Sequence, residues 1–106
     1  MSENPRLSRQ TLAVLAEFLH EPGEWRYGYG LLKATGTQAG TLYPILQRLA
    51  DLHWLETRWE ERPAGGRPPR HLYRLTAHGV RGAQAMRERA AARGWSSGAI
   101  APEGAG

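Results

Sequence analysis

The apolar residues of this chain change their spacing in mid-sequence, from a helical period to a period of two. Between residues 41 and 52 they recur every three or four positions, which predicts one buried helical face formed by Leu42, Ile45, Leu49 and Leu52. From Leu55 to Trp59 apolar or hydroxyl side chains alternate with charged ones, as in a half-buried strand. The alternation resumes from Arg70 to Leu75. These periods predict a helix followed by a two-stranded hairpin, which we call the wing.

The N-terminal third of the chain predicts two further helices. Ser8 is a favoured N-cap for a helix that runs to about His20, and the Glu-Pro-Gly of residues 21–23 breaks it. A short second helix is predicted at roughly residues 27–34, stopped by Gly36.

The order of the elements predicts the fold. Thr37 can cap the third helix and Thr76 a last one, and two helices joined by a short glycine-containing turn form a helix-turn-helix. The predicted class is mainly α with a small β-hairpin: a winged helix-turn-helix with an added C-terminal dimerisation helix at about 76–93. We expect residues 1–93 to form this one domain and residues 94–106 to form a disordered tail of small residues.

Several classes of function find no support in the residues. The 106 residues include no cysteine, and the four histidines lack the spacing of a metal site. No catalytic set and no phosphate-binding glycine loop is recognisable, so we expect no enzyme, cofactor or metal. No apolar run approaches the ~20 residues of a membrane helix, and the N-terminus lacks a signal sequence. A cytoplasmic protein without a membrane partner is therefore expected.

The charge of the chain is compatible with a nucleic-acid partner. Fourteen basic residues against ten acidic ones give a net charge of +4, and Lys33 is the sole lysine. Arginine binds phosphate bidentately, which favours nucleic acid. A GC-rich genome would also enrich arginine, so composition alone leaves both explanations open. The order of the elements favours DNA, because a helix fits the major groove.

Four segments resemble the PadR-like family of transcriptional regulators. They are GYGLL at residues 28–32, GTLYPILQRL at 40–49, the stretch from Trp54 to Glu60, and GRPPRHLYRLT at 66–76. The resemblance implies a homodimeric winged-helix repressor that binds double-stranded DNA and dimerises largely through its last helix. It also implies a small aromatic effector, since members often respond to such molecules. The chain looks like a short member without a separate C-terminal domain.

Two groups of residues are the predicted DNA contacts. The polar side of the third helix is expected to face bases and phosphates with Gln38, Gly40, Thr41, Tyr43, Pro44 and Gln47. The wing loop is expected to place Arg67 and Arg70 on phosphates. Each group has a structural alternative, since Tyr43 could pack on the wing and a basic loop is often merely solvated.

A winged-helix module that binds proteins and no longer binds DNA is the alternative function. The arginine-rich wing argues against it. Salt-dependent DNA binding would separate the two, because contacts to phosphates weaken as salt rises.

A second apolar row on the first helix predicts a dimer. Val14 and Phe18 lie about 100° or more from the row that begins at Leu12, and they have no evident use within one small domain. The last helix carries a thin stripe of mostly small side chains, so we expect a partner's last helix to pack between the two surfaces. The predicted interface comprises Val14, Phe18, Val80, Ala83, Met86 and Ala90.

Overall fold

The computed structural model describes residues 4–95 as four helices and a small antiparallel sheet. In chain order the elements are α1 (Arg9–His20), β1 (Arg26–Tyr27), α2 (Gly28–Thr35), α3 (Ala39–Asp51), β2 (Leu55–Trp59), β3 (His71–Leu75) and α4 (Ala77–Ala92). The strand order is β1-β3-β2, and both pairs are antiparallel. The predicted fold class is confirmed, and the short β1 is an addition that the sequence pattern did not predict.

Local signals set the ends of three helices. The Ser8 hydroxyl accepts a hydrogen bond from the Thr11 amide at 3.1 Å, so the predicted cap of α1 is present. The Thr76 hydroxyl accepts one from the Gly79 amide at 2.9 Å and caps α4 in the same way. Gly36 ends α2 in the left-handed conformation, with a φ of 71°.

Both apolar rows of α1 are buried within the chain's own core. The helix packs against α2, α3, β3 and α4, so one small domain covers both rows. Val14 is 0% exposed and Phe18 is 1% exposed. These two side chains have no surface left for a partner, and the expectation that they form a dimer interface is wrong.

The predicted stripe of α4 is also covered by the chain itself. Ala83, Met86 and Ala90 are at most 1% exposed and belong to the same core as α1, while Val80 is half-buried against it. Because α4 folds back onto α1, the stripe meets its own domain. The assignment of Ala83, Met86 and Ala90 to a partner contact is therefore wrong as well.

Two glycines bring α4 close to Trp54, which is 1% exposed. A Cβ at Gly82 would lie 2.8 Å from Cε2 of the indole, and one at Gly79 would overlap the Trp54 carbonyl. Side chains larger than hydrogen do not fit at either position without a shift. These two glycines of α4 make room for Trp54.

The chain stays close to the domain for a few residues after the end of α4. Gly94 follows the helix with a φ of 87°, and the Trp95 amide donates to the Ala90 carbonyl at 2.8 Å. The Trp95 ring packs against the core, with the guanidinium carbon of Arg9 4.7 Å from its centre. Trp95, which falls in the predicted tail, thus packs on the domain, and residues 96–106 of that tail lie outside the described residues.

Candidate nucleic-acid interface

The outer face of α3 presents the residues that were predicted to meet DNA. Its inner face consists of the buried Leu42, Leu46 and Leu49, whereas Ile45 and Leu52 are half-buried at the margin. The predicted contacts of this helix are all exposed: Gln38, Gly40, Thr41, Tyr43, Pro44 and Gln47.

Pro44 changes the backbone chemistry of that face. The helix begins at Ala39 after the N-cap Gln38, one residue later than the predicted cap Thr37, so Pro44 lies in the second turn. Without an N–H it cannot donate to the Gly40 carbonyl four residues earlier. A Cβ at Gly40 would meet no atom of the described residues within 4 Å, so internal packing does not require glycine there. The start of α3 therefore leaves open space at Gly40, and the Gly40 carbonyl lacks the donor that the residue four positions later provides in a regular helix.

Tyr43 packs against its own domain and also reaches the surface. Its hydroxyl and ring lie on Gly28 at the start of α2, where a Cβ would overlap the hydroxyl oxygen and come within 2.7 Å of the ring carbon Cε1. The residue is nonetheless 42% exposed. It lines a cavity of about 180 Å³ that joins α2, α3 and the wing, together with Tyr27, Gly28, Tyr29, Arg70, His71 and Tyr73. The packing role and the contact role that the sequence left open are thus compatible in one side chain.

A row of aromatic rings runs from this cavity to the surface of the wing. Burial raises the pKa of Tyr73, and the neighbouring Tyr43 adds to the rise. The Tyr73 hydroxyl and His71 Nδ1 are 3.1 Å apart. His71 in turn stacks on Trp59 at 4.5 Å between ring centres, and Trp59 is 62% exposed. The wing therefore carries an open aromatic surface beside α3.

The two arginines predicted to contact phosphate both bind one carboxylate, that of Glu60. Arg67 reaches it with Nη1 at 2.7 Å and Nη2 at 3.0 Å. Arg70 donates from its backbone amide at 3.1 Å and from its guanidinium at 3.3 Å. The sequence pattern did not single out Glu60. Its place at the end of the first alternating stretch was the available signal, because a hairpin brings that position opposite the start of the second strand.

These hydrogen bonds fix the charge of Glu60. The hydrogen bond from Arg67, and after it the one from Arg70, has the largest effect, and together they lower the pKa of the Glu60 carboxyl from 4.5 to about 2. The same contact raises the pKa of the Arg67 guanidinium. Glu60 therefore stays ionised at acidic pH values at which an ordinary glutamate takes up a proton.

A second set of wing arginines surrounds Trp25. The guanidinium carbons of Arg58 and Arg74 lie 4.4 Å and 4.3 Å from the centre of a Trp25 ring, within cation–π distance. Arg74 also forms an ion pair with Glu56 at 3.0 Å. Arg62 is exposed in the wing loop and forms no ion pair with any described residue.

The site as a whole is an exposed helix face beside a basic hairpin. Within residues 4–95 no group of side chains comes together that could hold a metal ion. No helix in that range is long and apolar enough to cross a membrane. An exposed helix suits the major groove of DNA, and a basic hairpin next to it suits the adjacent phosphates.

Comparison with known protein families shows to which family a chain with this site belongs. Residues 15–85 match the transcriptional regulator PadR-like family. The chain belongs to the PadR-like family. The predicted membership is thereby confirmed, and with it a role in DNA-binding regulation of transcription. The individual DNA contacts stay predictions. No match was found among curated proteins.

Solved structures of transcriptional regulators share the fold. A PadR family transcriptional regulator from Eggerthella lenta DSM 2243 is 32% identical with a TM-score of 0.61, over 81% of this chain and 75% of that one. One from Clostridium difficile R20291 has a TM-score of 0.69 at 16% identity, over 82% of this chain and 92% of that one, and shows the fold alone. The PcaV transcriptional regulator from Streptomyces coelicolor is 26% identical with a TM-score of 0.65, over 84% of this chain and 61% of that one.

Proposed function

We propose that the chain is a homodimeric repressor that binds a specific double-stranded DNA sequence, with α3 in the major groove and the wing on flanking phosphates. The observation that carries the proposal is the exposed polar face of α3 beside an arginine-rich hairpin. Membership of the PadR-like family supports it. Repression would follow from occupancy, because a bound repressor excludes other proteins from the same DNA.

The exposed polar residues of α3 divide into two proposed roles. Gln38 and Thr41 at the start of the helix, and Gln47 farther along it, carry groups that pair with base edges. The Gln47 amide nitrogen donates to Asp51 at 2.9 Å, which holds that amide on the exposed face. Tyr43 contacts a phosphate through its hydroxyl, a contact that positions the protein without reading sequence.

The proposed dimer is supported by family membership rather than by the apolar rows. Its interface must use side chains other than Val14, Phe18, Ala83, Met86 and Ala90, since the chain's own core buries those. A two-fold dimer would place its α3 helices about one DNA turn, roughly 34 Å, apart. Sedimentation of the wild-type chain tests this, and a chain that stays monomeric at high concentration would count against it.

The proposed effector is a small aromatic molecule, as the family resemblance implies. Binding of such a molecule should lower the affinity for the operator by the same factor as DNA lowers the affinity for the effector. Titrating aromatic acids against the fluorescently labelled operator complex would measure that factor. A series that never displaces DNA would remove the effector from the proposal.

Selection of binding sites from random DNA is the experiment that decides the proposed function. We expect enrichment of an inverted repeat whose half-sites lie about 10 base pairs apart. We also expect binding that weakens steeply as salt rises. No enrichment and no salt-dependent binding would favour the protein-interaction module instead.

Arg67→Ala and Arg70→Ala should each weaken binding to operator and to random DNA alike. Each removes one phosphate contact, so the slope of log affinity against log salt should fall by about one. Fluorescence anisotropy over a range of salt measures both quantities. The matched control is Arg89→Ala, which removes the same charge from the exposed surface of α4. Equal effects in all three variants would show that net charge, and not the wing, accounts for the loss.

Tyr43→Phe should lower operator affinity by roughly 1 kcal/mol while leaving the fold intact. The ring that packs on Gly28 is kept, and the hydroxyl, whose oxygen also lies over Gly28, is removed. Anisotropy measures the affinity and thermal unfolding measures the stability. Unchanged affinity would show that Tyr43 has a packing role and no DNA contact.

A further inference from the structure

One carboxylate engages both arginines at the end of the wing. Glu60 Oε1 accepts from Arg67 Nη1 at 2.7 Å, from the Arg70 amide at 3.1 Å and from Arg70 Nε at 3.3 Å. Glu60 Oε2 accepts from Arg67 Nη2 at 3.0 Å and from Arg70 Nη2 at 3.3 Å. Both oxygens of the carboxylate thus accept hydrogen bonds from the two side chains that the proposed function places on phosphate.

The backbone places Glu60 where it can hold both arginines. Its amide donates to the Arg70 carbonyl at 2.9 Å, which closes the base of the wing loop. Within the loop Gly65 and Gly66 both have φ of 71°, a conformation that glycine adopts at little cost. That turn sends the chain back toward the strands, so that the Arg67 side chain reaches Glu60 across the loop.

A DNA phosphate and the Glu60 carboxylate are equivalent ligands for a guanidinium. Both offer paired anionic oxygens to the planar N–H fork of arginine. The Arg67 and Arg70 side chains are 36% and 38% exposed, and that of Glu60 is 20% exposed, so solvent anions have access to the arginines in the folded chain. Two positive charges and one negative charge also leave the cluster with a net charge of only +1.

We propose that Glu60 is a built-in competitor for DNA phosphate: in the free chain it occupies Arg67 and Arg70, and it thereby lowers affinity for DNA of any sequence. This inference rests on the proposed DNA contact of the wing. DNA must share the two guanidinium groups with Glu60 or draw them away from it. The hydrogen bonds from Arg67 and Arg70 lower the pKa of Glu60, so the carboxylate stays charged at physiological pH and continues to compete for the arginines.

The test is Glu60→Gln, measured with a labelled duplex of random sequence over a range of salt. Glutamine keeps the size of the side chain and an oxygen that can accept from the Arg70 amide, but it removes the negative charge. We expect affinity to rise by about threefold to tenfold and the salt slope to steepen by about one. Thermal unfolding of the same sample checks that the wing variant is folded, and Glu60→Thr, a good strand former, serves if the glutamine variant is not.

The matched control is Glu61→Gln, one residue farther into the loop. Glu61 is exposed and forms no ion pair with a described residue, so its substitution removes the same charge without releasing an arginine. We expect its affinity to change by less than about twofold. An equal gain in both variants, or an unchanged or weaker affinity in Glu60→Gln, overturns the inference.

The Arg67→Ala variant separates the two proposals. Weaker binding in Arg67→Ala without tighter binding in Glu60→Gln leaves the wing contact standing and overturns the competition alone. Unchanged binding in both variants overturns the wing contact itself. If competition operates, the gain from Glu60→Gln should also shrink in the Arg67→Ala background, because the two residues act on one interaction.

Discussion

Met86→Glu is expected to unfold the chain rather than to separate a dimer. Met86 is 1% exposed and lies in the core that α4 shares with α1. An unpaired carboxylate at that position should cost about 4 kcal/mol or more, a large part of the ~5 kcal/mol that stabilises a small domain. Circular dichroism during heating should show a midpoint lowered by roughly 20 °C or no cooperative transition at all.

Gln84→Glu is the matched control for that variant. Gln84 lies on the same helix but is exposed, so the same acidic group should change stability by no more than about 0.5 kcal/mol. Sedimentation of both variants completes the test. A Met86→Glu chain that melts like the wild type and sediments as a monomer would place Met86 at a contact between two copies.

The buried rows of α1 show where sequence reasoning stops. Periodicity identifies which faces of a helix are apolar, but it does not say which element covers them. Val14 and Phe18 look like a surplus face in a helix at the edge of a domain. They are ordinary core residues in a helix that packs against α2, α3, β3 and α4. The position of α4 was the missing fact, and no local pattern encodes it.

The elements and the outer face of α3 could be predicted because local signals determine them. Caps at Ser8 and Thr76, the glycine at the end of α2 and the change of period all act over a few residues. The polar side of α3 follows from the position of its apolar stripe, although Leu46 replaces Ile45 in the fully buried set. β1 was not predicted, because a strand of two residues is too short to show a hydrophobic periodicity.

The wing shows the same division between local and non-local information. The sequence places Arg67 and Arg70 in the loop between two strands, as the structure does. Their shared partner depends on the register of β2 with β3, which puts Trp59 opposite His71 and so brings Glu60 beside Arg70. A single-residue slip would send Glu60 to the other side of the hairpin. The basic character of the wing could therefore be predicted from the sequence, but the pairing of its two arginines with Glu60 could not.

Gly82→Ala is expected to destabilise the chain by about 2 kcal/mol, although alanine favours helices over glycine by about 1 kcal/mol. The added methyl group would overlap Trp54, whose ring carbon Cε2 lies 2.8 Å from the ideal Cβ position. Either α4 must move away or the buried indole must leave its place. Gly30→Ala is the control, since its Cβ would lie 3.6 Å from the ring carbon Cε1 of Tyr27, an ordinary contact, and it should stabilise the chain.

Trp54→Phe should relieve the overlap, because the atoms nearest to Gly82 belong to the six-membered ring of the indole that phenylalanine lacks in that position. The indole Nε1 is buried without a hydrogen-bond partner in the described part of the chain, so the substitution removes no hydrogen bond there. Gly82→Ala should then cost less than about 0.5 kcal/mol in the Trp54→Phe background, which gives a coupling of roughly 1.5 kcal/mol. Urea unfolding of the four chains measures this coupling. Equal costs of Gly82→Ala in both backgrounds would show that α4 does not rest on Trp54, and the interpretation of its small residues as space for the chain's own indole would fail.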